Sequence, residues 1–157
     1  MARFLITGGA GFIGSNIAHR LVGQGEKVTV LDNFSTGKRD NLREIATAKN
    51  LRIVEGDVCD LKEVKQEAKK CDFILHHAAV PSVQRSMKQP AESLEVNILG
   101  TLNALIAAQA YSSVKRVVYA SSSAAYGDSP TLPKIETMQN HPLSPYSVSK
   151  IAGEDYC

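Results

Sequence analysis

Phe4-Leu5-Ile6-Thr7-Gly8-Gly9-Ala10-Gly11-Phe12-Ile13-Gly14-Ser15 is the stretch on which the fold turns. A short apolar run passes directly into spaced glycines, and the glycines pass directly into a helical pattern. In a strand–turn–helix unit, Gly8 makes a tight turn and Gly11 lets the backbone approach a pyrophosphate. Gly14 lets the helix pack closely on the strand. The phosphates then meet the positive end of that helix. Spaced glycines alone also occur in ordinary turns, so the flanking sequence has to supply two further features.

The first is a second strand ending in an acid. Lys27-Val28-Thr29-Val30-Leu31-Asp32 supplies it, with Asp32 standing 18 residues after Gly14. A ribose-binding carboxylate is expected about 20 residues on. A carboxylate there accepts hydrogen bonds from adenosine ribose hydroxyls and repels a 2′-phosphate, which favours NAD over NADP. The alternative is that Asp32 only opens the turn Asp32-Asn33-Phe34-Ser35. Lys38 and Arg39 could hold a 2′-phosphate; their distance from the strand end places them on a solvated face.

The second feature is helical periodicity between the two strands. Ile13, Ile17 and Leu21 recur every fourth residue, an apolar stripe expected to face a sheet, and Gly23 and Gly25 end the helix. Further strands are expected at 51–55, 72–76 and 116–120. A short helix is expected over 61–69 and a long one over 91–110, with Leu94, Ile98, Leu102 and Leu105 on its buried stripe. Strand–helix alternation implies right-handed crossovers and a parallel sheet covered on both faces, in the order 3-2-1-4-5. Prolines 130, 133, 142 and 145 mark a surface loop, and a last helix starts near Tyr146.

The bulk properties narrow the function classes. The chain has 157 residues, enough for one domain with a sizeable core. A formal charge of +2 gives no reason to expect a nucleic acid. No apolar run is long enough for a membrane span. Cys59, Cys71 and Cys157 lack metal-ligand spacing and read as reduced cysteines of a cytoplasmic protein. His76 and His77 are adjacent, which does not suit two ligands on one helix face. No metal is expected.

Tyr146-Ser147-Val148-Ser149-Lys150 places a phenol and an ammonium at i and i+4. The ammonium favours the phenolate, so the tyrosine can serve as a general base near neutral pH. Alone, the pair also suits an exposed helix face.

Taken together, these segments resemble the extended short-chain dehydrogenase/reductase family, and within it the NAD-dependent UDP-sugar 4-epimerases. The resemblance rests on the glycine turn, on Asp32 to Gly37 and Gly56-Asp57-Val58, and on His76-His77-Ala78-Ala79. It continues through Val96-Asn97-Ile98-Leu99-Gly100-Thr101, Ser121 to Gly127 and Tyr146-x-x-x-Lys150. It implies a Rossmann-type doubly wound parallel sheet forming an NAD-binding domain over 1–157. The implied pyrophosphate contacts are Gly8, Gly11, Phe12, Ile13 and Gly14. Asp32 and Asn33 match the adenosine ribose contacts, Asp57 and Val58 the adenine contacts, and Ala78 and Ala79 the nicotinamide-ribose side. Asn97 matches an asparagine near the active site, and Tyr146 and Lys150 match a catalytic pair that also touches the cofactor. Ser122 matches the substrate-facing serine, with Ser121 and Ser123 as weaker candidates. Ser82 and Arg85 fall in a segment that resembles a substrate-side loop. The implied partners are a UDP-sugar and a second copy of the chain, in a homodimer packed through the helices containing Ala91 to Ala110 and Tyr146.

Related dehydratases and decarboxylases carry an acid just after the catalytic serine or threonine; Ser123, Ala124 and Ala125 stand there instead, which favours epimerisation. Family members run to roughly twice this length, so the sheet is expected to stop before the later strands and the substrate domain. The competing reading is a non-catalytic NAD-binding fragment or interaction module.

Overall fold

The computed structural model describes all 157 residues. Five parallel strands, β1 (Arg3–Thr7), β2 (Lys27–Asp32), β3 (Leu51–Glu55), β4 (Phe73–His76) and β5 (Arg116–Tyr119), form one sheet in the order 3-2-1-4-5. The expected order and direction hold throughout, since all four pairings are parallel. Alternation along β1 sends neighbouring side chains to opposite layers. Leu5 joins Leu31, Val64, Ala68, Ile74 and Ala107 against α2 (Leu61–Ala68) and α5 (Gly100–Gln109). Ile6 joins Ala10, Ala18, Val28, Val30 and Leu42 beneath α1 (Phe12–Gly23) and the 3-10 helix Arg39–Ile45.

Two expected helix faces are corrected. Ile17 and Leu21 pack on the second core layer, but Ile13 is 58% exposed, and the buried residues of α1 are Gly14, Ser15 and Ala18. The first turn opens onto the cleft at the strand ends, whose lining includes Phe12 and Ile13.

The long helix is α4 (Pro90–Leu94), one π turn (Glu95–Leu99) and α5 in succession, after a separate short α3 (Val83–Lys88). Its buried face carries Ser93, Asn97, Thr101, Ala104 and Ala107, while Leu94 is 59% exposed and Ile98, Leu102 and Leu105 are half-buried. Small residues let this helix approach the sheet, and the π turn rotates the face. A Cβ on Gly100 would lie 2.7 Å from Val58 Cγ2. The segment Ser82 to Ser86, expected as a loop, forms most of α3 with Ser82 as its N-cap. The 127–145 segment is a loop as expected, and α6 (Pro145–Tyr156) follows it behind a Ser144–Ser147 capping box. No helix is long and apolar enough to cross a membrane.

Candidate functional site

A cleft of about 320 Å³ runs along the C-terminal ends of the strands, at the switch point between β1 and β4. Open parallel sheets take their ligands there. One end is built by close backbone packing. Gly8 has φ +69°, and a Cβ on it would lie 2.5 Å from Ala78 N. A Cβ on Gly14 would lie 2.7 Å from Gly9 Cα. No side chain caps α1, so its first-turn N–H groups are left for a ligand. Asp32, 8% exposed, closes this end: its Oδ2 accepts from Ala10 N at 2.8 Å and its Oδ1 from Phe34 N at 2.8 Å. Each oxygen keeps a lone pair for a further donor.

Asn33 lines the cleft and donates through Nδ2 to Asp57 Oδ2 at 2.9 Å. Burial pushes the Asp57 carboxyl up, but hydrogen bonds from Cys59 and Asn33 outweigh it and hold the group below its ordinary value. Gly56 and Val58 line the cleft while Asp57 itself stands behind Asn33. Lys38 and Arg39 are exposed and outside it; Arg39 pairs with Glu55 and stacks 4.0 Å over Phe34. These features fit a dinucleotide: uncapped helix N–H groups for a pyrophosphate, and an anchored carboxylate one strand away.

The other end carries Ala78, Ala79, Val80, Ala120, Ser121, Tyr146 and Lys150. Lys150 is buried, and its Nζ donates to Ala120 O at 2.8 Å and lies 4.9 Å from the Tyr119 ring centroid. Desolvation pulls its ammonium down to about 8. Tyr146 lies one turn earlier on the same helix and faces the same cleft.

Asn97 is a buried tie. Its Oδ1 accepts from Val80 N at 2.8 Å, and its Nδ2 donates to Ser149 Oγ at 3.0 Å. It thus joins the π turn to the cleft wall and to α6 without lining the cleft. Thr101 Oγ1 donates to Asn97 O at 2.6 Å, so it accepts from His76 Nε2 at 3.1 Å. This assigns the His76 tautomer, with Nδ1 accepting from Thr7 Oγ1 at 2.7 Å. Burial, then the charge of Lys150, lowers His76 to about 3, so the ring is neutral. His77 lines the cleft and is lowered by the same two causes; its Nδ1 has no partner.

Other expected residues stand outside the cleft. Ser122 Oγ accepts from Ala124 N at 3.2 Å and caps the 3-10 turn Ser123–Tyr126, while the neighbouring Ser121 lines the cleft and donates to Glu154. Ser82 caps α3, and Arg85 Nε donates to Glu92 Oε2 at 2.7 Å. Reading the sequence missed Gly37, Val80, Pro81 and Ala120. Gly37 could have been found as the end of the Asp32 to Gly37 turn: a Cβ there would lie 2.9 Å from Ala10. The others contribute backbone or small apolar surface, which leaves no mark in a sequence.

Residues 4–157 match the family described as the NAD dependent epimerase/dehydratase family. The chain is 38% identical over 156 residues to the UDP-glucose 4-epimerase of Mycolicibacterium smegmatis, covering 98% of this chain and 50% of that one. The fold is similar to the UDP-N-acetylglucosamine 4-epimerase of Methanobrevibacter ruminantium in complex with UDP-N-acetylmuramic acid. There the TM-score is 0.92 at 37% identity, over 99% of this chain and 49% of that chain. It is also similar to the Thermus thermophilus UDP-glucose 4-epimerase in complex with NAD, with TM-score 0.86 and 40% identity, over 98% and 49%. The chain spans about half the length of the curated relatives it matches.

Proposed function

The chain belongs to the NAD dependent epimerase/dehydratase family, and from that premise we propose that it is the NAD-binding part of a nucleotide-sugar 4-epimerase. The substrate class is UDP-glucose and UDP-galactose, or their N-acetylated forms. The observation that carries the reading is that Tyr146 and Lys150 share one cleft with the glycine turn and Asp32.

Gly8, Gly11 and Gly14, with the N–H groups of Phe12 and Ile13, hold the pyrophosphate. Asp32 and Asn33 hold the adenosine ribose. Val58 packs beside the adenine, with Asp57 fixing Asn33 behind it. Ala78 and Ala79 leave room for the nicotinamide ribose, which Lys150 holds by hydrogen bonding. Bound NAD supplies a reversible hydride acceptor. Tyr146 takes the C4 hydroxyl proton and returns it after the sugar has turned over. The Lys150 ammonium stabilises the phenolate form of Tyr146. Ser122 stands next to the cleft-lining Ser121, and because its Oγ accepts the capping hydrogen bond from Ala124, its own proton is free for a substrate oxygen seated on that rim. No acid follows it in the turn Ser123–Tyr126, which supports epimerisation over elimination. Ser82 and Arg85, tied to α3 and Glu92, shape the wall next to the sugar side.

Leu94, Leu99 and Val148 are exposed apolar side chains on the long helix and on α6, which pack together. They support a homodimer through those helices. The deciding experiment titrates this chain with NAD+ by calorimetry and then assays conversion of UDP-galactose. In a form extended to the length of the relatives, Tyr146→Phe is expected to leave NAD+ affinity within a few-fold and to lower turnover by about 10²–10⁴, the range for a general base. A folded chain that binds no NAD+ overturns the reading. NAD+ binding without conversion of UDP-galactose, in a form extended to the length of the relatives, selects the non-catalytic module.

A further inference from the structure

Lys150 is a buried cation without a carboxylate partner. The titratable groups that reach it are His76 and His77 at the end of β4 and Tyr119 on β5, while Tyr146, Glu154 and Cys157, from α6 and its C-terminal end, face the Tyr119 phenol. Of the aromatic rings around it, Tyr119 is the one whose face lies under the ammonium, with Nζ 4.9 Å from its ring centroid. An aromatic face attracts a cation at this range, and more strongly when the cation is desolvated.

Tyr119 is itself held from several sides. Its ring stacks on His76 with centroids 6.0 Å apart, across the β4–β5 register pair His76–Tyr119. Its hydroxyl donates to Lys150 O at 3.3 Å. On α6 it occupies the space that a side chain at Gly153 would need: a Cβ there would overlap the hydroxyl and lie 2.9 Å from Cε1. Gly153 is therefore a socket for the ring. Burial raises the phenol above its ordinary range, with the Thr101 hydroxyl opposing, so Tyr119 stays neutral beside the lysine.

We propose that Tyr119 is a positioning residue for Lys150, its ring face and the Gly153 socket holding the ammonium against the end of β5 so that it points into the cleft. The inference deepens the reading above, which gives Lys150 its work. It is tested without cofactor or sugar, so the two can fail separately.

The measurement is the rate at which Lys150 is modified by a trace amine reagent as a function of pH, read by peptide mass spectrometry on the full chain. Only the free amine reacts, so a less stabilised ammonium reacts faster at pH 7. Tyr119→Phe keeps the ring and is expected to stay within about twofold of the unmodified chain. Tyr119→Leu removes the ring and is expected to react at least about threefold faster, with a profile displaced to lower pH. Should Tyr119→Leu not fold, pentafluorophenylalanine at position 119 keeps the shape and reverses the charge of the ring face. It is then compared with Tyr119→Phe, and the same threefold difference is expected. A folded Leu variant, or a fluorinated ring, with the same Lys150 profile as Tyr119→Phe overturns the proposal.

Discussion

At the glycine end of the cleft, Gly8, Gly14 and Gly37 bring backbone into close contact, with Asp32 tying β2 to the glycine turn through Ala10 N. At the Tyr146 end, Thr7, His76, Thr101, Asn97 and Ser149 connect β1, β4, the π turn and α6 through buried side-chain hydrogen bonds. The first end is specified by what is missing from the side chains. The second is specified by what each polar group must find across the core. A ligand spanning both meets a rigid, local turn on one side and a directional network on the other. The two ends should therefore fail differently: one sterically and independently of pH, the other through protonation.

The largest effect is expected at the steric end. Gly8 has φ +69° and no room for a Cβ beside Ala78 N. The left-handed conformation costs a side chain about 1–2 kcal/mol, and overpacking adds about 1–3 kcal/mol. Gly8→Ala should therefore lose roughly 3 kcal/mol of unfolding free energy in urea, equally at pH 7 and pH 5. Gly23 is the control, because nothing lies within 4 Å of a Cβ there. Gly23→Ala should leave stability unchanged or slightly raised. A loss at Gly8 no larger than at Gly23 would erase the distinction between the two ends.

The network end should show itself in acid. His76 has a folded value of about 3 against an ordinary 6.5. Between those values the unfolded chain binds the proton and the folded chain does not, so its contribution is complete above about 6.5 and is lost as pH falls toward 3. Going from pH 7 to pH 5 should cost ~2 kcal/mol through this one ring. His77 is lowered in the same direction and steepens the slope. His76→Asn lowers stability at pH 7 but should flatten most of that dependence. Unfolding curves for the two proteins that run parallel from pH 7 to pH 5 would show that the ring is not what acid attacks.

The same contrast explains what could be read in advance. Strand order, the glycine turn and the Asp32 and Tyr146–Lys150 positions were legible because each rests on local spacing: period two, period 3.6, i to i+4. Asn97 was legible as a residue of interest but not as a tie, since Val80 and Ser149 reach it only through the tertiary fold. The long helix misled because leucine periodicity assumes that the apolar stripe faces the sheet. Here a row of small and polar residues running through the π turn forms the buried face, and leucines such as Leu94 face outward. Ser122 and Ser121 could not be separated by spacing. Only the 3-10 turn shows that one caps it and the other lines the cleft.

The smallest effect lies in cofactor choice, back at the glycine end. Asp32 presents a carboxylate, anchored by Ala10 N and Phe34 N, at the place where the proposed reading seats the adenosine ribose. Its repulsion of a 2′-phosphate should outweigh the attraction of Lys38 and Arg39, which stand outside the cleft, with Arg39 already paired to Glu55. Asp32→Asn keeps the size and one acceptor while removing the charge. Calorimetric titrations should show the NAD+ to NADP+ affinity ratio falling about tenfold, ~1.4 kcal/mol, with most of the change in NADP+ affinity. Arg39→Ala should leave that ratio alone, because its guanidinium is spent on Glu55 and Phe34. If Arg39→Ala instead moves the ratio more than Asp32→Asn, the basic pair governs the choice. The glycine end would then need a long-range electrostatic account like that of the other end.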